Sequence, residues 1–202
     1  VKHEGTRRAV CLNSDAYWNH SKRIVEEMAQ ALGKHPALIA WQIDNGIGSH
    51  FTEASFNEGS RLEWQNWLRL KYETIERLNE AMGLCHWGQT VADWSEVPMP
   101  MAAPTQHNPA LAVDWARFCS DTIVAFVRMQ ADVLREITPH APVTTNLRAL
   151  KHRFDHFDLA EVIDFVSIES TSAIKPKSAD LACEIDMLRS LKKTDIRAPD
   201  GD

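Results

Sequence analysis

Three short apolar runs, each closed by polar residues and separated from the next by a helical pattern, constrain this chain more than any other feature. Residues 37–43 read ALIAWQI and end on Asp44-Asn45-Gly46. Residues 142–145 are apolar or β-branched and end at Asn146. Residues 164–168 read DFVSI and end at Glu169. Apolar runs this short suit strands covered on both faces, as in a parallel sheet. Parallel neighbours need a long crossover, usually a helix, and the intervening segments supply one each time. The expected class is therefore α/β.

The helical segments carry ordinary start and stop signals. Residues 14–33 open on Ser14 as a cap, carry Ile24, Met28, Ala31 and Leu32 at helical spacing, and stop at Gly33. Residues 60–72 and 74–82 read as two further helices. The stretch 84–107, rich in Trp, Pro and Met, is irregular, and loops that long usually serve a site or an interface. Asn108-Pro109 opens a long helix by the cap-then-proline rule. Its predicted buried face runs from Leu111 through Trp115, Phe118 and Phe126 to Ile137. Short helices are expected at 157–162 and 178–192. No internal repeat or low-complexity tract interrupts the order.

Composition removes several function classes. Formal net charge is -6, whereas phosphate binding needs a basic face, so no nucleic-acid partner is expected. No apolar run approaches the roughly 18 residues of a membrane span. Cys11, Cys85, Cys119 and Cys183 lie far apart with no CxxC pair. They read as buried reduced thiols in a cytoplasmic protein rather than a metal clip or redox pair. Val1 at the start and Ala198-Pro199-Asp200-Gly201-Asp202 at the end are read as cuts in a longer chain, the last five being turn chemistry.

Polar groups follow all three strands directly, at Asp44-Asn45-Gly46, Thr145-Asn146 and Glu169-Ser170. In a barrel of parallel strands that is the end where ligand-handling side chains collect, although strand-end loops are polar in any case. Around these ends lie more specific segments. WQIDN at 41–45 resembles the WQxDNE segment of glycoside hydrolase family 42. Arg7-Arg8 with Asn13-Ser14, KYETIERLNEAMG at 71–83 followed by Trp87 and Asp93-Trp94, NPAL at 108–111, VTTN at 143–146 and DFVS at 164–167 resemble later or flanking landmarks of that family, in its order. The resemblance covers nearly the whole chain.

The resemblance implies a partial (β/α)8 TIM barrel, about strands four to six with their helices, and residues 1–202 as the central part of one catalytic domain truncated at both ends; a complete barrel takes about 250 residues. It implies a retaining β-galactosidase, which needs two carboxyl groups about 5–5.5 Å apart, acting on a β-galactoside or oligosaccharide. Arg7 and Asn45 match the family's substrate-binding positions, and Asn146 and Glu169 join them as strand-end candidates. It also leaves room for a homo-oligomer and implies no cofactor. Seven tryptophans against two tyrosines fit a site that stacks on sugar faces, although Trp64 and Trp67, three apart on a helix, are explained by packing.

Two departures from the family pattern bear on chemistry. The acid/base glutamate position is occupied by Gly46, which cannot transfer a proton, and the nucleophile position is expected beyond Asp202. Glu53, beside His50, Phe51 and Phe56 in the following loop, is the candidate surrogate acid/base, because an apolar setting raises a carboxyl pKa. An ordinary solvated loop glutamate is the competing reading. A barrel that binds sugar without turning it over, or a related glycosidase of other sugar preference, also fits these residues. Family cysteines that hold a structural metal are missing from 48–62, and His50 with Glu53 makes too few ligands, so no metal is expected. Gly46-Ile47-Gly48 lacks the third glycine of a dinucleotide site.

Overall fold

In the computed structural model the described residues are 10–48, 54–147, 154–168 and 178–192. Helix α1 (Asp15–Leu32) is followed by strand β1 (Trp41–Gln42), helices α2 (Glu58–Tyr72) and α3 (Ile75–Met82), and the long helix α4 (Pro109–Ile137). Then come β2 (Val143–Thr144), β3 (Asn146–Leu147), α5 (His156–Val162), β4 (Ser167–Ile168) and α6 (Ser178–Ser190). β1 pairs parallel with β2 and β3 pairs parallel with β4. The extended stretch 143–147 therefore lies between two neighbours, first to β1 and then to β4. Pairing runs a little past the assigned strands, since Ile43 N–H donates to the Thr144 carbonyl at 2.7 Å. The expected alternation of strand and helix is present, as part of a (β/α)8 barrel.

The helix starts follow their caps. Ser14 accepts from the Tyr17 amide, Asn57 from Ser60, Thr74 from Arg77, and Asn108 from Ala110 and Leu111 ahead of Pro109. Each side-chain oxygen satisfies amides that have no partner within the first turn. α4 spans both halves of the core. Its C-terminal half, with Ile123, Phe126, Val127 and Leu134, packs under β1–β3 with Trp41, Ile43, Val143 and Leu147. Its N-terminal half, with Leu111, Trp115 and Phe118, packs with Trp64, Leu68, Leu78 and Met82. Trp64 is fully buried, with ring contacts to Trp67 and Trp115 at 5.7 and 5.3 Å, in line with the packing reading.

The irregular stretch after α3 is tied down by side chains. The Trp64 indole donates to the Pro98 carbonyl, buried Gln65 donates to the carbonyls of Ser95 and Val97, and Asn79 both donates to and accepts from the Val91 backbone. Such pairs replace the ladder that loop backbone lacks.

Several expectations are corrected. The apolar stripe of α1 is not its buried face. Ile24, Met28 and Leu32 are exposed, while Tyr17, Trp18, Val25 and Ala29 meet the core. The helix carries two apolar stripes, and among the described residues only the second is covered, by α4. The strand expected over 37–43 shrinks to β1, with Ile39 85% exposed, because residues 36 and 37 form a turn and pairing begins only at Trp41, whose amide donates to the Pro142 carbonyl. Gly33 ends α1 with an ordinary helical φ of -60°, not a left-handed one. Of the four cysteines, none of them in a disulfide, only Cys119 is buried; Cys85 and Cys183 are exposed, Cys183 because α6 shows its side to solvent.

Candidate functional site

The end of β1 is built from left-handed backbone. Asp44 has φ +40° and Gly46 has φ +67°, so the chain turns sharply as soon as the β1–β2 ladder ends at Ile43. Glycine takes such an angle without steric cost, whereas a residue with a Cβ does not. The chain then enters the core: Ile47 is buried, and Gly48, at φ +70°, lies where an added Cβ would stand 3.1 Å from the Phe154 ring.

The turn is held from the neighbouring strand. The Gly46 N–H donates to Asn146 Oδ1 at 2.7 Å, and Asn146 Nδ2 donates to Asn45 Oδ1 at 2.8 Å. Thr145 Oγ1 donates to the Asp44 carbonyl at 3.3 Å, and Gln42 Nε2 reaches Asn45 Oδ1 at 3.5 Å. Asn146 is buried while Asn45 is exposed. A buried carboxamide with both ends engaged fixes a geometry, because leaving either end unmet carries a desolvation cost of about 1–3 kcal/mol.

The structure thus brings Asn45, Gly46 and Asn146 together at one end of the strands. It moves Asn146 from a position after the strand to a position in β3, opposite Ser167, because 143–147 stays extended to pair with β4. Arg7, Glu53 and Glu169 lie outside the described residues. Sequence reading placed Thr145 at a strand end without its bond to Asp44, and missed Ser167, whose hydroxyl donates to the Thr145 carbonyl at 2.9 Å. A strand written TTN, with polar side chains on successive positions of a buried strand, was the signal for the first. Asn13 Nδ2 donates to Ser60 Oγ at 3.0 Å, joining the start of α1 to the start of α2. Among the described residues no three His, Cys, Asp or Glu side chains gather as metal ligands, and no helix is long and apolar enough to cross a membrane.

Comparison with known proteins bears on the same residues. The family model described as β-galactosidase, glycoside hydrolase family 42, matches residues 1–196. The β-galactosidase bgaB of Geobacillus kaustophilus is 33% identical over 192 residues, which are 94% of this chain and 28% of that protein. The β-galactosidase Bga of Halorubrum lacusprofundi is 35% identical over 170 residues, 84% of this chain and 24% of that protein. The crystal structure of a β-galactosidase from the psychrophilic Marinomonas ef1 superposes with a TM-score of 0.85 at 30% identity, covering 95% of this chain and 32% of that one. The chain thus spans about a quarter of the length of the curated relatives it matches.

Proposed function

This chain belongs to the β-galactosidase family of glycoside hydrolases, family 42, and from that membership we propose that the full-length protein hydrolyses terminal non-reducing β-D-galactose residues from β-galactosides or oligosaccharides by a retaining mechanism. The observation that carries the reading is the family match over 1–196, together with the Asn45–Gly46–Asn146 cluster at the strand ends. The described strands are assigned to positions four to six of the barrel within one catalytic domain. Arg7, Asn45, Asn146 and Glu169 form the proposed sugar-binding set, with Asn45 meeting a sugar hydroxyl. Glu53 is the proposed surrogate acid/base and the nucleophile comes from outside these 202 residues, so the chain alone is expected to be inactive. Four cysteines outside any disulfide support a cytoplasmic setting, and assembly as a homo-oligomer is part of the same reading.

Gly46 favours a second reading, a barrel that binds sugar without turnover, since glycine offers no proton to a leaving group. One assay separates the two. The full-length protein is incubated with a nitrophenyl β-galactoside and, separately, titrated with galactose by calorimetry. Turnover well above the uncatalysed rate supports the enzyme. Binding without turnover supports the second reading, and neither binding nor turnover removes both.

A further inference from the structure

The two hydrogen bonds of the Asn146 side chain do different work. The backbone ladder between β1 and the neighbouring strand ends where Ile43 N–H meets the Thr144 carbonyl. One step further, the Asn146 carboxamide takes over from backbone: its oxygen accepts the Gly46 N–H at 2.7 Å and its nitrogen donates to Asn45 Oδ1 at 2.8 Å. No other side chain of this size offers an acceptor and a donor side by side. Aspartate lacks the donor, leucine lacks both, and threonine cannot span the pair. The rigidity of the arrangement comes from burial, with Asn146 only 6% exposed, and from its place in β3 in register with Ser167.

The second bond has a directional consequence. The Asn45 oxygen is turned toward Asn146, so the exposed Asn45 amide has its Nδ2, a donor, at the opposite side. We propose that Asn146 is a positioning residue for sugar recognition: it sets which end of the Asn45 amide faces the ligand and holds Gly46 at the head of the left-handed turn, without itself touching sugar. This rests on the β-galactoside reading above and refines the part Asn146 plays in the sugar-binding set. The sugar class it selects is one that presents a hydroxyl oxygen as acceptor to Asn45.

The test uses the full-length protein and three variants, Asn146→Asp, Asn146→Ala and Asn45→Ala. Asn146→Asp keeps the acceptor for Gly46 but puts a carboxylate against Asn45 Oδ1, which turns the Asn45 amide around. Galactose affinity is expected to fall about tenfold in Asn146→Asp, and the Asn45→Ala/Asn146→Asp double variant is expected to be no weaker than Asn45→Ala alone, because one residue acts through the other. Additive losses would mean that Asn146 contacts sugar directly and would overturn the proposal. A second readout needs no ligand. Amide hydrogen exchange at Gly46 is expected to quicken in Asn146→Ala and stay slow in Asn146→Asp, while Val143 exchange is unchanged in both. Unchanged exchange at Gly46 in Asn146→Ala overturns the proposal whatever the ligand result. Exchange that moves as expected in a protein whose wild type binds no galactose sinks the β-galactoside reading and, with it, the sugar-recognition role, leaving only the hold on Gly46.

Discussion

Val143 and Asp164 are tied to each other twice: the Asp164 amide donates to the Val143 carbonyl at 2.8 Å, and the Val143 amide donates to the Asp164 carboxylate at 2.7 Å. Arg135 reaches the same carboxylate at 2.8 Å from the last turn of α4. One side chain therefore sets where the central strand starts, where its neighbour starts, and how α4 hands over to both.

That lock predicts an acid-side loss of stability. Burial acts to raise the Asp164 pKa, but the Val143 amide and Arg135 outweigh it and hold the carboxyl below its ordinary value of 3.8. A carboxyl depressed on folding contributes stability that is present above its unfolded pKa and is lost as pH falls through the folded one. The window therefore lies below about 3.8. Asp164→Asn should flatten the melting-temperature profile there, and Asp164→Ala should cost about 1 kcal/mol near neutral pH, where the wild-type carboxylate accepts the Val143 amide. The carboxylate is 41% exposed, so solvent screening keeps the charge part small. A wild-type profile parallel to that of Asp164→Asn below pH 4 would refute this.

Gly33 offers a prediction whose sign opposes helix propensity. Its φ is an ordinary -60°, where alanine should stabilise by roughly 0.4–1 kcal/mol. An added Cβ, however, would stand 2.3 Å from Thr138 Cγ2 and 2.4 Å from the Ala29 carbonyl oxygen. Both atoms are fixed, Thr138 by donating to the Leu134 carbonyl and accepting from the Trp41 indole. Gly33→Ala is expected to destabilise by about 1–3 kcal/mol, read as a lowered melting temperature. A rise would show that α1 and the end of α4 are not in close contact.

Gly33 also marks what sequence could and could not reveal. The end of α1 was legible from glycine alone, but the reason was not, because the clash involves Thr138, over a hundred residues away. The same holds for α1 itself: Ile24, Met28 and Leu32 and the core-facing Trp18, Val25 and Ala29 both keep helical spacing, and spacing does not say which stripe α4 meets. Capping residues are local, so Ser14, Asn108 and Pro109 placed their helices correctly. The polar strand ends were legible as candidates. The Asn146 bond to Asn45 was not, because which side chains meet across two parallel strands depends on register, and no turn fixes register between strands joined by a long crossover.

Tyr72 should titrate late. Its hydroxyl donates to buried Asp114 at 2.6 Å, while Lys71 pairs with the other carboxylate oxygen. Burial first, then the Asp114 hydrogen bond and its charge, push the Tyr72 pKa up from 10.0 to about 12. A pKa raised on folding contributes stability that is intact below the unfolded value and is lost as pH climbs through the folded one, here between about 10 and 12. The ultraviolet phenolate difference spectrum of wild type minus Tyr72→Phe should show a midpoint near 12. Asp114→Asn should move it back toward 10.0. A Tyr72 midpoint at 10 in the wild type would refute the coupling.

The last prediction concerns the proton that Gly46 cannot supply. A retaining glycosidase protonates the departing oxygen with one carboxylic acid, and the proposed reading puts the family's acid at the position of Gly46. The chain on either side of the following loop is anchored: Gly48 lies against Phe154 and Ile123, and Phe56 stacks on Trp115 with ring centroids 5.3 Å apart. Glu53 lies between those anchors in sequence, flanked by His50, Phe51 and Phe56, and is the proposed surrogate acid. In the full-length protein, Glu53→Gln is expected to slow a β-galactoside with a poor leaving group about 10²- to 10⁴-fold, the usual worth of general acid catalysis. A nitrophenyl galactoside should be slowed far less, because a phenolate of low pKa departs without a proton. Gly46→Ala gives the control: at φ +67° an added Cβ costs about 1–2 kcal/mol of stability, and it removes no acid, so the ratio of the two rates should not move. Equal, small losses on both substrates in Glu53→Gln would take Glu53 out of the mechanism.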